Sequence, residues 1–356
     1  MRILVDCREI QKNTTGIARF LLNLFKGLKN FKEELECVLL GNQYTDFKRK
    51  ELDGYKKVVV KEKNTFYFDQ VVILKVIKEQ KIDLFFSPYY KFPVFVNVPT
   101  ITSIFDVMYL VLEEYKNDIR NIYRKNFIKF TYGKVKKVIT SSNFAKNEII
   151  KVLNLSQEKI EVVYLAVDEK FKPQLYEKIK EVKDKYKINK NYILYLGNAK
   201  PHKNLNCLLS AWQLIDKKIK KDYILVLAGV GEKFYCNDAD ILIIPFVSEE
   251  ELPALYSGAK VFVFPSVYEG FGLPPLEAMA CGCPVISSNV STMPEILNDA
   301  CLYFNPFDIN KISNVISEVV QSESLREKMR TKGFERVKIF TIEKMVNSLI
   351  KIFGSV

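Results

Sequence analysis

The sequence predicts an α/β protein of two domains, each built on a doubly wound parallel sheet. The chain has 356 residues, which is enough for two domains of ordinary size. Short apolar runs typical of buried strands alternate with segments of helical periodicity along most of the sequence. A polar stretch over residues 168–191 interrupts this alternation, which then resumes. The polar stretch therefore marks the predicted domain boundary.

The first domain is predicted over residues 1–167. The apolar run Met1–Cys7 predicts a strand, and apolar residues spaced three and four apart predict a helix over Gly16–Leu28. The other predicted strands are Glu36–Leu40, Lys57–Val60, Asp83–Ser87, Thr100–Phe105, Lys137–Thr140 and Ile160–Val163. The other predicted helices are Asp69–Gln80, Asp118–Lys134 and Ser142–Leu153.

The second domain is predicted over residues 168–336, and residues 337–356 are predicted to form a helix that crosses back to the first domain. The predicted strands are Tyr192–Leu196, Tyr223–Ala228, Ile241–Ile244, Val261–Phe264 and Pro284–Ser287. The predicted helices are Leu205–Leu214, Pro274–Cys281, Ile309–Gln321, Leu325–Val337 and Ile342–Phe353. Two such domains facing across a cleft would offer a ligand a binding place there.

The composition excludes several classes of protein. Hydrophobic residues make up 48% of the chain and charged residues 27%, which excludes a disordered protein. No apolar run approaches the ~20 residues that span a bilayer, and the first apolar run is too short for a signal peptide, so we expect a cytoplasmic protein. Seven scattered cysteines, no CxxC pair and a single histidine argue against a disulfide framework and a zinc site.

The positive charge is concentrated in the first half. Residues 1–165 contain 29 Lys and Arg against 19 Asp and Glu, a net charge of +10, whereas the rest of the chain carries +2. A basic face could attract nucleic acid, an anionic membrane or a phosphorylated substrate. Alternatively, lysine is simply the common polar surface residue of this chain. No nucleic-acid-binding motif is present, and the aromatic residues do not alternate with the basic ones, so nucleic acid is not an expected partner.

The most informative segment follows the predicted strand Val261–Phe264. A loop containing Gly270 and Gly272 leads into Pro274, and proline tolerates the first turn of a helix. A helix N-terminus at the carboxyl end of a strand offers free amides and a favourable dipole to an anion, and glycines allow a ligand close to the backbone. The segment therefore predicts an anion-binding loop.

Two carboxylates flank this loop. Glu269 lies before the glycines, and Glu277 is predicted in the first turn of the helix. A carboxylate can accept two hydrogen bonds from neighbouring hydroxyls of a ribose or sugar ring. The simpler interpretation is that Glu277 only caps its helix and that Glu269 is a solvated loop residue. The combination of loop, glycines and spacing favours the binding interpretation.

These residues carry a resemblance to a known family. Glu269, Glu277 and the intervening Gly-Phe-Gly-Leu-Pro-Pro-Leu resemble the Glu-x7-Glu signature of the retaining family 4 of GT-B glycosyltransferases, also called group 1, which includes mannosyl- and rhamnosyltransferases. Other family motifs occur in the expected order along almost the whole chain. They are Asn13-Thr14-Thr15-Gly16-Ile17-Ala18-Arg19-Phe20, Thr102-Ser103-Ile104-Phe105-Asp106, Ile139-Thr140-Ser141-Ser142-Asn143-Phe144, residues 196–204 and residues 248–259.

The resemblance implies the GT-B fold and a donor site for a nucleoside diphosphate sugar in the second domain. By family analogy Glu277 would bind the ribose, Glu269 the transferred sugar, and Lys203 the diphosphate. The other donor-binding residues that the resemblance implies are Gly270, Phe271, Gly272, Leu273, Gly16, His202, Phe246 and Gly197. Asp106, assigned a catalytic role with Glu269 and Lys203, and Arg19 would lie near the acceptor or the phosphates.

The implied activity is transfer of a hexose or deoxyhexose to a hydroxyl of a glycan or lipid-linked acceptor, with retention of anomeric configuration, in cell-surface polysaccharide assembly. The family uses no cofactor besides the donor and works without metal. Asp238-Ala239-Asp240 imitates a metal motif of another fold, but its position before a strand predicts a turn. The acceptor would bind to the first domain, and basic clusters such as Lys48-Arg49-Lys50 and Lys134–Lys137 suggest peripheral contact with an anionic membrane at its inner face.

Two residues depart from the family pattern. Phe105 replaces the usual histidine before Asp106 and cannot donate a hydrogen bond. Another group could take over that role, catalysis could be slower, or the donor could be a 6-deoxy sugar. A catalytically impaired nucleotide-sugar-binding relative or partner subunit is therefore an alternative function, and a sugar epimerase is a remoter one. His202 stands where arginine is common, and it could equally be a surface loop residue.

Overall fold

The computed structural model of the chain describes residues 1–12, 15–31, 35–116 and 118–356. These residues divide into two compact units. Unit 1 contains Met1–Ala166 together with Thr341–Val356, and unit 2 contains Val167–Phe340. Each unit is built on its own parallel sheet, as the alternating pattern of the sequence predicted.

Unit 1 is built around a seven-stranded parallel sheet in the order β3-β2-β1-β4-β5-β6-β7. Its strands are β1 (Arg2–Asp6), β2 (Glu36–Gly41), β3 (Lys56–Val59), β4 (Leu84–Ser87), β5 (Thr100–Ser103), β6 (Lys137–Thr140) and β7 (Ile160–Val162). The chain first builds outward from β1 and then, from β4, builds in the other direction. The boundary between β1 and β4 is thus a topological switch point, and ligands of such sheets bind at its carboxyl edge.

The helices of unit 1 connect these strands and bury their apolar sides in a common core. They are α1 (Gly16–Leu28), α2 (Thr65–Tyr67), α3 (Ile73–Glu79), α4 (Met108–Val111), α5 (Glu113–Lys116), α6 (Ile119–Thr131) and α7 (Asn143–Leu153), with a π-helical segment at Phe68–Val72. Thr15 begins α1 as its N-cap, because its side chain accepts a hydrogen bond from the amide of Ala18. The core of this unit is formed by residues such as Leu4, Phe85 and Val138.

Unit 2 repeats the arrangement with six parallel strands in the order β10-β9-β8-β11-β12-β13. The strands are β8 (Asn191–Leu196), β9 (Tyr223–Ala228), β10 (Ile241–Ile244), β11 (Val261–Phe264), β12 (Val285–Ser288) and β13 (Leu302–Phe304). Here the direction changes between β8 and β11. The loops that follow these two strands therefore lie at the switch point of unit 2.

Eight helices are described in unit 2. They are α8 (Tyr176–Lys185), α9 (Leu205–Gln213), α10 (Lys217–Asp222), α11 (Leu252–Gly258), α12 (Leu273–Ala280), α13 (Met293–Leu297), α14 (Ile309–Gln321) and α15 (Glu323–Val337). Apolar residues of α9 and α14, among them the fully buried Trp212, pack against the sheet in the core.

The final helix, α16 (Ile342–Phe353), belongs to unit 1 although the chain has passed through unit 2. It packs against α1 at Gly27, where a Cβ atom would lie 2.6 Å from Cγ2 of Val346. A larger residue at this position would push the two helices apart. The segment that returns to unit 1 begins at Thr341, four residues after the predicted boundary at residue 337.

Short or strongly polar elements account for the differences from the sequence-based expectations. The Lys- and Glu-rich stretch after residue 168 contains α8, in which Val182 is buried and most other residues are not. The short elements α10, α13 and β13 were also not predicted. A helix with one buried residue leaves almost no apolar periodicity to detect.

The structure also bears on two classes of protein that were considered from the composition, disulfide-linked proteins and membrane-spanning proteins. The seven cysteines are free thiols, and five of them are buried. Burial raises the pKa of the Cys37 thiol to about 12, so this thiol stays protonated near neutral pH. Within the residues that the structure describes, no helix combines the length and the apolar character needed to cross a bilayer.

Candidate active site

The charged centre of unit 2 lies at its switch point. Lys203 is the last residue of a 3₁₀ turn (Pro201–Lys203) after β8, and Glu269 lies in the loop after β11. Lys203 Nζ donates to Oε1 of Glu269 over 2.6 Å, and each side chain is only 16% exposed. Two of the three catalytic residues predicted from the sequence, 66 residues apart, are thus brought into direct contact.

The loop after β8 is fixed by its own backbone and by the neighbouring loop. The amide of Gly197 donates to the carbonyl of Ala228 at the end of β9 over 3.0 Å. His202 is buried, and its carbonyl accepts the amide of Val267 over 2.8 Å. The interpretation of His202 as a surface loop residue is therefore wrong. The backbone contact joins the loops that carry Lys203 and Glu269.

Asn204 also holds the loop that carries Lys203. It has a left-handed backbone with φ of 56°, a conformation that asparagine tolerates better than most residues. Its side-chain amide donates to the carbonyls of Pro265 over 3.2 Å and Pro306 over 2.7 Å. The lysine loop and the glutamate loop are thus held to a third loop, which follows β13.

The loop after β11 is held by Ser291. The amide of Glu269 donates to Ser291 Oγ over 2.8 Å, and this hydroxyl donates to the carbonyl of Glu269 over 2.7 Å. Both backbone groups of Glu269 are therefore fixed by one side chain. Neither Ser291 nor Asn204 was predicted from the sequence. The polar residues Ser288 and Asn289 after the predicted strand Pro284–Ser287 were the available signal for Ser291, since such residues mark loops at a strand end.

The glycine turn of this loop leads directly into α12. Gly270 and the buried Phe271 precede Gly272, and the ring of Phe271 packs edge-on against Phe340 with centroids 5.7 Å apart. Gly272 has a φ of 93°, and a Cβ atom there would lie 2.3 Å from Cε of Met293. Only glycine suits both the backbone and the space. Leu273 then begins the helix.

Glu277 lies deeper in unit 2 than the sequence suggested. The helix begins at Leu273, so Glu277 is beyond the first turn and does not cap the helix, contrary to the simpler interpretation. Glu277 is 2% exposed, and its Oε2 accepts a hydrogen bond from the Tyr256 hydroxyl over 3.3 Å. Glu277 is thus a buried carboxylate in the second turn of α12, held by hydrogen bonding within unit 2.

The site can bind an anion and hydroxyl groups together. Lys203 Nζ has one hydrogen-bond acceptor within the described part of the chain, so an ammonium with three N–H donors has capacity for a ligand. The amides of residues 270–273 and the dipole of α12 favour an anion beside it, whereas Pro274 and Pro275 have no N–H to donate. Burial, reinforced by the charge of Glu269, raises the pKa of the Tyr195 hydroxyl, which donates to the carbonyl of Asn198. Tyr195 is therefore a neutral group here.

Other predicted residues lie apart from this centre. Phe246 follows the edge strand β10 and is 74% exposed, and no described contact joins it to the loops at the switch point. Asp238 and Asp240 lie at a turn, where Asp238 accepts from Gln213 Nε2 and from the amide of Asp240. No group of three metal-ligating side chains occurs among the residues described.

Gly16 and Asp106 belong to unit 1. Gly16 opens α1, and apart from its chain neighbours and its own helix no described residue comes within 4 Å of the place that a Cβ would take there; Asn13 and Thr14 of the same motif lie outside the described residues. Asp106, three residues beyond β5, accepts the amide of Met108 over 3.1 Å. Phe105, the departure from the family pattern, packs edge-on against Phe20 of α1 with centroids 5.0 Å apart. Its ring takes part in the packing of unit 1.

Comparison with known proteins shows to which family the chain belongs. The family model described as Glycosyltransferase Family 4 matches residues 14–171, and the one described as Glycosyl transferases group 1 matches residues 177–336. O-antigen chain mannosyltransferase B of Escherichia coli is 33% identical over 264 residues, covering 71% of this chain and 69% of that protein. The chain belongs to glycosyltransferase family 4. Its motifs were recognised correctly from the sequence, and it is a glycosyltransferase.

Other relatives are matched over smaller shares. O-antigen chain mannosyltransferase RfbU of Salmonella typhimurium is 31% identical over 57% of this chain and 56% of its own length. The serotype-specific mannosyltransferase WbdA of Escherichia coli is 30% identical over 66% of this chain, which corresponds to 31% of the longer WbdA.

Solved structures show the fold. WaaG, a glycosyltransferase involved in lipopolysaccharide biosynthesis, superposes with a TM-score of 0.77 at 14% identity, covering 98% of this chain and 99% of WaaG. HepE of Anabaena, solved in complex with UDP-glucose, has a TM-score of 0.76 at 14% identity over the full length of both chains. The predicted GT-B architecture of two parallel-sheet domains is confirmed.

Proposed function

We propose that this glycosyltransferase moves a hexose or deoxyhexose from a nucleoside diphosphate sugar to a hydroxyl of a glycan or lipid-linked acceptor in cell-surface polysaccharide assembly. Transfer retains the anomeric configuration and needs no metal. The observation that carries the proposal is the contact between Lys203 and Glu269 at the switch point of unit 2, beside the glycine turn that begins α12. The names of the mannosyltransferase relatives favour mannose as the sugar.

The proposed roles follow from the chemistry of each group. Lys203 and the amides of residues 270–273 bind the diphosphate and balance its charge as it leaves. Glu269 accepts hydrogen bonds from hydroxyls of the transferred sugar, and Glu277 accepts those of the ribose. Binding of the diphosphate gives Lys203 a second anionic partner without requiring it to leave Glu269, because an ammonium has three donors.

The proposed reaction is a front-face substitution. The bond from the anomeric carbon to the diphosphate oxygen breaks, and its electrons leave with the diphosphate. The acceptor oxygen forms its bond to the same face of that carbon, and its proton passes to the departing diphosphate. Glu269 is a binding group in this scheme, and no covalent glycosyl-enzyme forms. Asp106 of unit 1 is assigned to the acceptor.

The alternative is a catalytically impaired relative that binds a nucleotide sugar. One observation favours it. Phe105 occupies the family's histidine position and packs against Phe20, so it offers the sugar no hydrogen bond. Product formation distinguishes the two functions, because an impaired relative would bind the donor without consuming it.

We propose that the protein works in the cytoplasm, at the inner face of the membrane. The supporting observation is the basic excess of the first half of the chain, which suits an anionic lipid surface. Partial retention by anionic vesicles at low salt, decreasing as salt is raised, is the expected behaviour.

The test of the donor site is thermal stabilisation by UDP, GDP, dTDP and CDP. A nucleotide at 100 times its dissociation constant should stabilise the folded protein by about 2.7 kcal/mol. We expect one nucleotide to do so, and we expect Glu277→Gln to weaken the effect. Glu250→Gln, a change at an exposed glutamate of the same unit, is the matched control and should leave it intact. Stabilisation by none of the four, or equal loss in both variants, would contradict the proposed donor site.

A further inference from the structure

The glycine turn at the start of α12, residues 270–273, has few means of fixing its own backbone. Gly270 and Gly272 carry no side chain, and glycine adopts more backbone conformations than any other residue. Pro274 and Pro275 follow, and neither has an N–H to donate to the turn. The conformation of the turn therefore depends on residues that pack against it.

Phe340 supports the turn from one side. Its ring packs edge-on against that of Phe271 with centroids 5.7 Å apart, and both residues are buried. Phe340 lies three residues beyond α15 and is the last residue of unit 2. Its carbonyl accepts the amide of Val167, the first residue of unit 2, over 3.0 Å. The turn therefore rests on a buried ring whose own backbone is held by a hydrogen bond.

Met293 supports the turn from another side. It is the first residue of α13, it is fully buried, and its side chain occupies the space that a Cβ atom of Gly272 would need. Ser291, two residues earlier, holds both backbone groups of Glu269, the residue before the turn. The beginning of α13 thus covers the second glycine and fixes the glutamate that leads into the turn.

Arg336 joins these two supports. It lies in the last turn of α15, and its guanidinium carbon is 5.2 Å from the ring centroid of Phe340. Its Nε donates to the carbonyl of Ile296 over 2.7 Å, and its Nη2 donates to that of Glu295 over 2.6 Å. These carbonyls lie toward the C-terminal end of α13, where a cation satisfies acceptors that the helix leaves open and matches the helix dipole. One side chain therefore binds α13 and also packs on Phe340.

We propose that Arg336 and Phe340 are positioning residues for the donor diphosphate and act through the glycine turn. The inference rests on the proposed function, in which the amides of residues 270–273 bind the diphosphate. Ordering a flexible backbone at the moment of binding weakens affinity, whereas a turn that is ordered beforehand does not bear this cost. The packing of Phe340 and Met293 against the turn, fixed by Arg336, orders the amides before the ligand arrives.

A second pair of residues separates positioning from a general contribution to stability. Arg330 and Phe334 are four residues apart, as Arg336 and Phe340 are, and they belong to the same helix as Arg336. Arg330 Nε donates to the carbonyl of Gly282 over 3.0 Å, and a Cβ atom at Gly282 would lie 3.1 Å from Cζ of Phe334. Because Gly282 follows the end of α12, this pair supports the opposite end of the helix and serves as the matched control.

The first experiment measures backbone hydrogen exchange by mass spectrometry in the full chain without ligand. Arg336→Met and Phe340→Leu are compared with Arg330→Met and Phe334→Leu. We expect peptides that cover residues 268–276 to exchange at least tenfold faster in the first two variants than in the two controls. Arg336 is only partly buried, so Arg336→Met keeps the test valid if Phe340→Leu does not fold. Equal exchange in Arg336→Met and Arg330→Met would overturn the inference.

The second experiment measures binding of UDP, GDP, dTDP and CDP and of the corresponding monophosphates by calorimetry. The ratio of the affinities for a diphosphate and its monophosphate isolates the contribution of the terminal phosphate. We expect Arg336→Met and Phe340→Leu to lower this ratio at least fivefold, and Arg330→Met and Phe334→Leu to keep it within twofold of the wild type. A general loss of stability would weaken both ligands alike and leave the ratio unchanged.

The outcomes distinguish failure of this inference from failure of the proposed function. If the wild type binds none of the four diphosphates, or binds each no better than its monophosphate, the proposed donor site is wrong and the inference fails with it. If the wild type prefers a diphosphate and Arg336→Met keeps the same preference, the donor site stands and the positioning role is overturned. An equal fall of the ratio in Arg330→Met would also overturn it, because the effect would then come from the whole of α12.

Discussion

At the switch point of unit 2 Lys203 contacts one carboxylate, whereas at the switch point of unit 1 Arg8 contacts two. Arg8 Nη2 lies 2.6 Å from Asp6 Oδ2 and 2.6 Å from Asp69 Oδ1, and its guanidinium carbon lies 4.1 Å from the ring centroid of Phe68. The arginine is thus fixed from three sides. Lys203 has a single carboxylate partner and lies 5.5 Å from the ring centroid of Phe264. The same topology supports a rigid charge cluster in one unit and a pair able to accept a ligand in the other.

The difference has consequences for both stability and binding. A cation between two nearly buried carboxylates holds together three elements of unit 1 and has little to offer a diphosphate, because the carboxylates repel it. A lysine with unused donors beside the amides of the glycine turn before α12 can bind a diphosphate at little structural cost. We therefore expect changes at Arg8 to affect folding first and changes at Lys203 to affect transfer first.

Arg8→Met should have the strongest effect of the variants that test this difference. Removing the cation leaves Asp6 and Asp69 without their partner, and breaking a buried pair in this way costs about 3–5 kcal/mol of unfolding free energy. Urea unfolding followed by circular dichroism measures it. Arg2→Met at the other end of β1, where the partners Arg2 and Glu36 are 32% and 52% exposed, is the control and should cost clearly less than Arg8→Met.

The pH dependence of the Arg8→Met variant provides a second readout. Burial raises the pKa of the Asp69 carboxyl, and the charge of Arg8 opposes that rise. Without the cation the pKa rises further, so the folded protein binds this proton more tightly than the unfolded chain does. Stability lost near pH 7 should then partly return as the pH falls toward about 5. If Arg8→Met were as stable as Arg2→Met at both pH 7 and about pH 5, the Arg8 cluster would not contribute to the stability of the fold.

The next largest effect is expected on the rate of sugar transfer by the Lys203→Met variant. Loss of one charge that stabilises a leaving group typically lowers the rate 10²–10³-fold, or about 2.7–4 kcal/mol. We expect this loss in sugar-transfer assays, with a smaller loss of unfolding free energy than in Arg8→Met, because only one carboxylate loses its partner. The control is Lys200→Met, an exposed lysine of the same loop. Similar rates for the two variants would remove Lys203 from the mechanism.

A smaller effect is expected at Glu251, which forms a charge cluster with Lys185 in unit 2, away from the switch point. Burial raises the pKa of this carboxyl, but hydrogen bonds from Lys185, Ser248 and Tyr186 outweigh burial and bring the pKa to about 2. A lowered pKa contributes stability that is present above the unfolded value and is lost as the pH falls through the folded one.

Glu251→Gln should therefore cost about 1 kcal/mol near neutral pH, since Lys185 is 57% exposed and its contribution is screened. The difference from the wild type in unfolding free energy should decrease as the pH falls from about 4.5 toward 2. Glu250→Gln, one residue earlier and exposed, serves as the reference. A difference that grows in acid would contradict the assigned sign.

The sequence predicted most of the fold because the two sheets depend on short apolar runs that leave a clear pattern. Strands β9, β10 and β11 and helices α1, α14 and α16 have the predicted bounds, since each combines strong apolar periodicity with a polar or capping boundary. Helix α8 lacked that pattern because it buries one residue.

The candidate site was only partly predictable. The spacing of Glu269 and Glu277 is local and could be recognised in the sequence. The residues that surround them in the fold could not be recognised in this way. The contact of Lys203 with Glu269 joins residues far apart in sequence, and a pairing of this kind depends on the strand order. The burial of His202 and the fixing of Glu269 by Ser291 likewise depend on neighbouring loops, which leave no periodic signal.

The comparison of the two switch points requires that unit 2, and not unit 1, binds the diphosphate of the donor. A crystal structure with the stabilising nucleoside diphosphate bound shows where that group lies. We predict the diphosphate within hydrogen-bond distance of Lys203 Nζ and of the amides of residues 270–273. A diphosphate bound instead beside Arg8 and Lys91 in unit 1, or a fully occupied nucleotide that does not contact Lys203, would contradict this assignment.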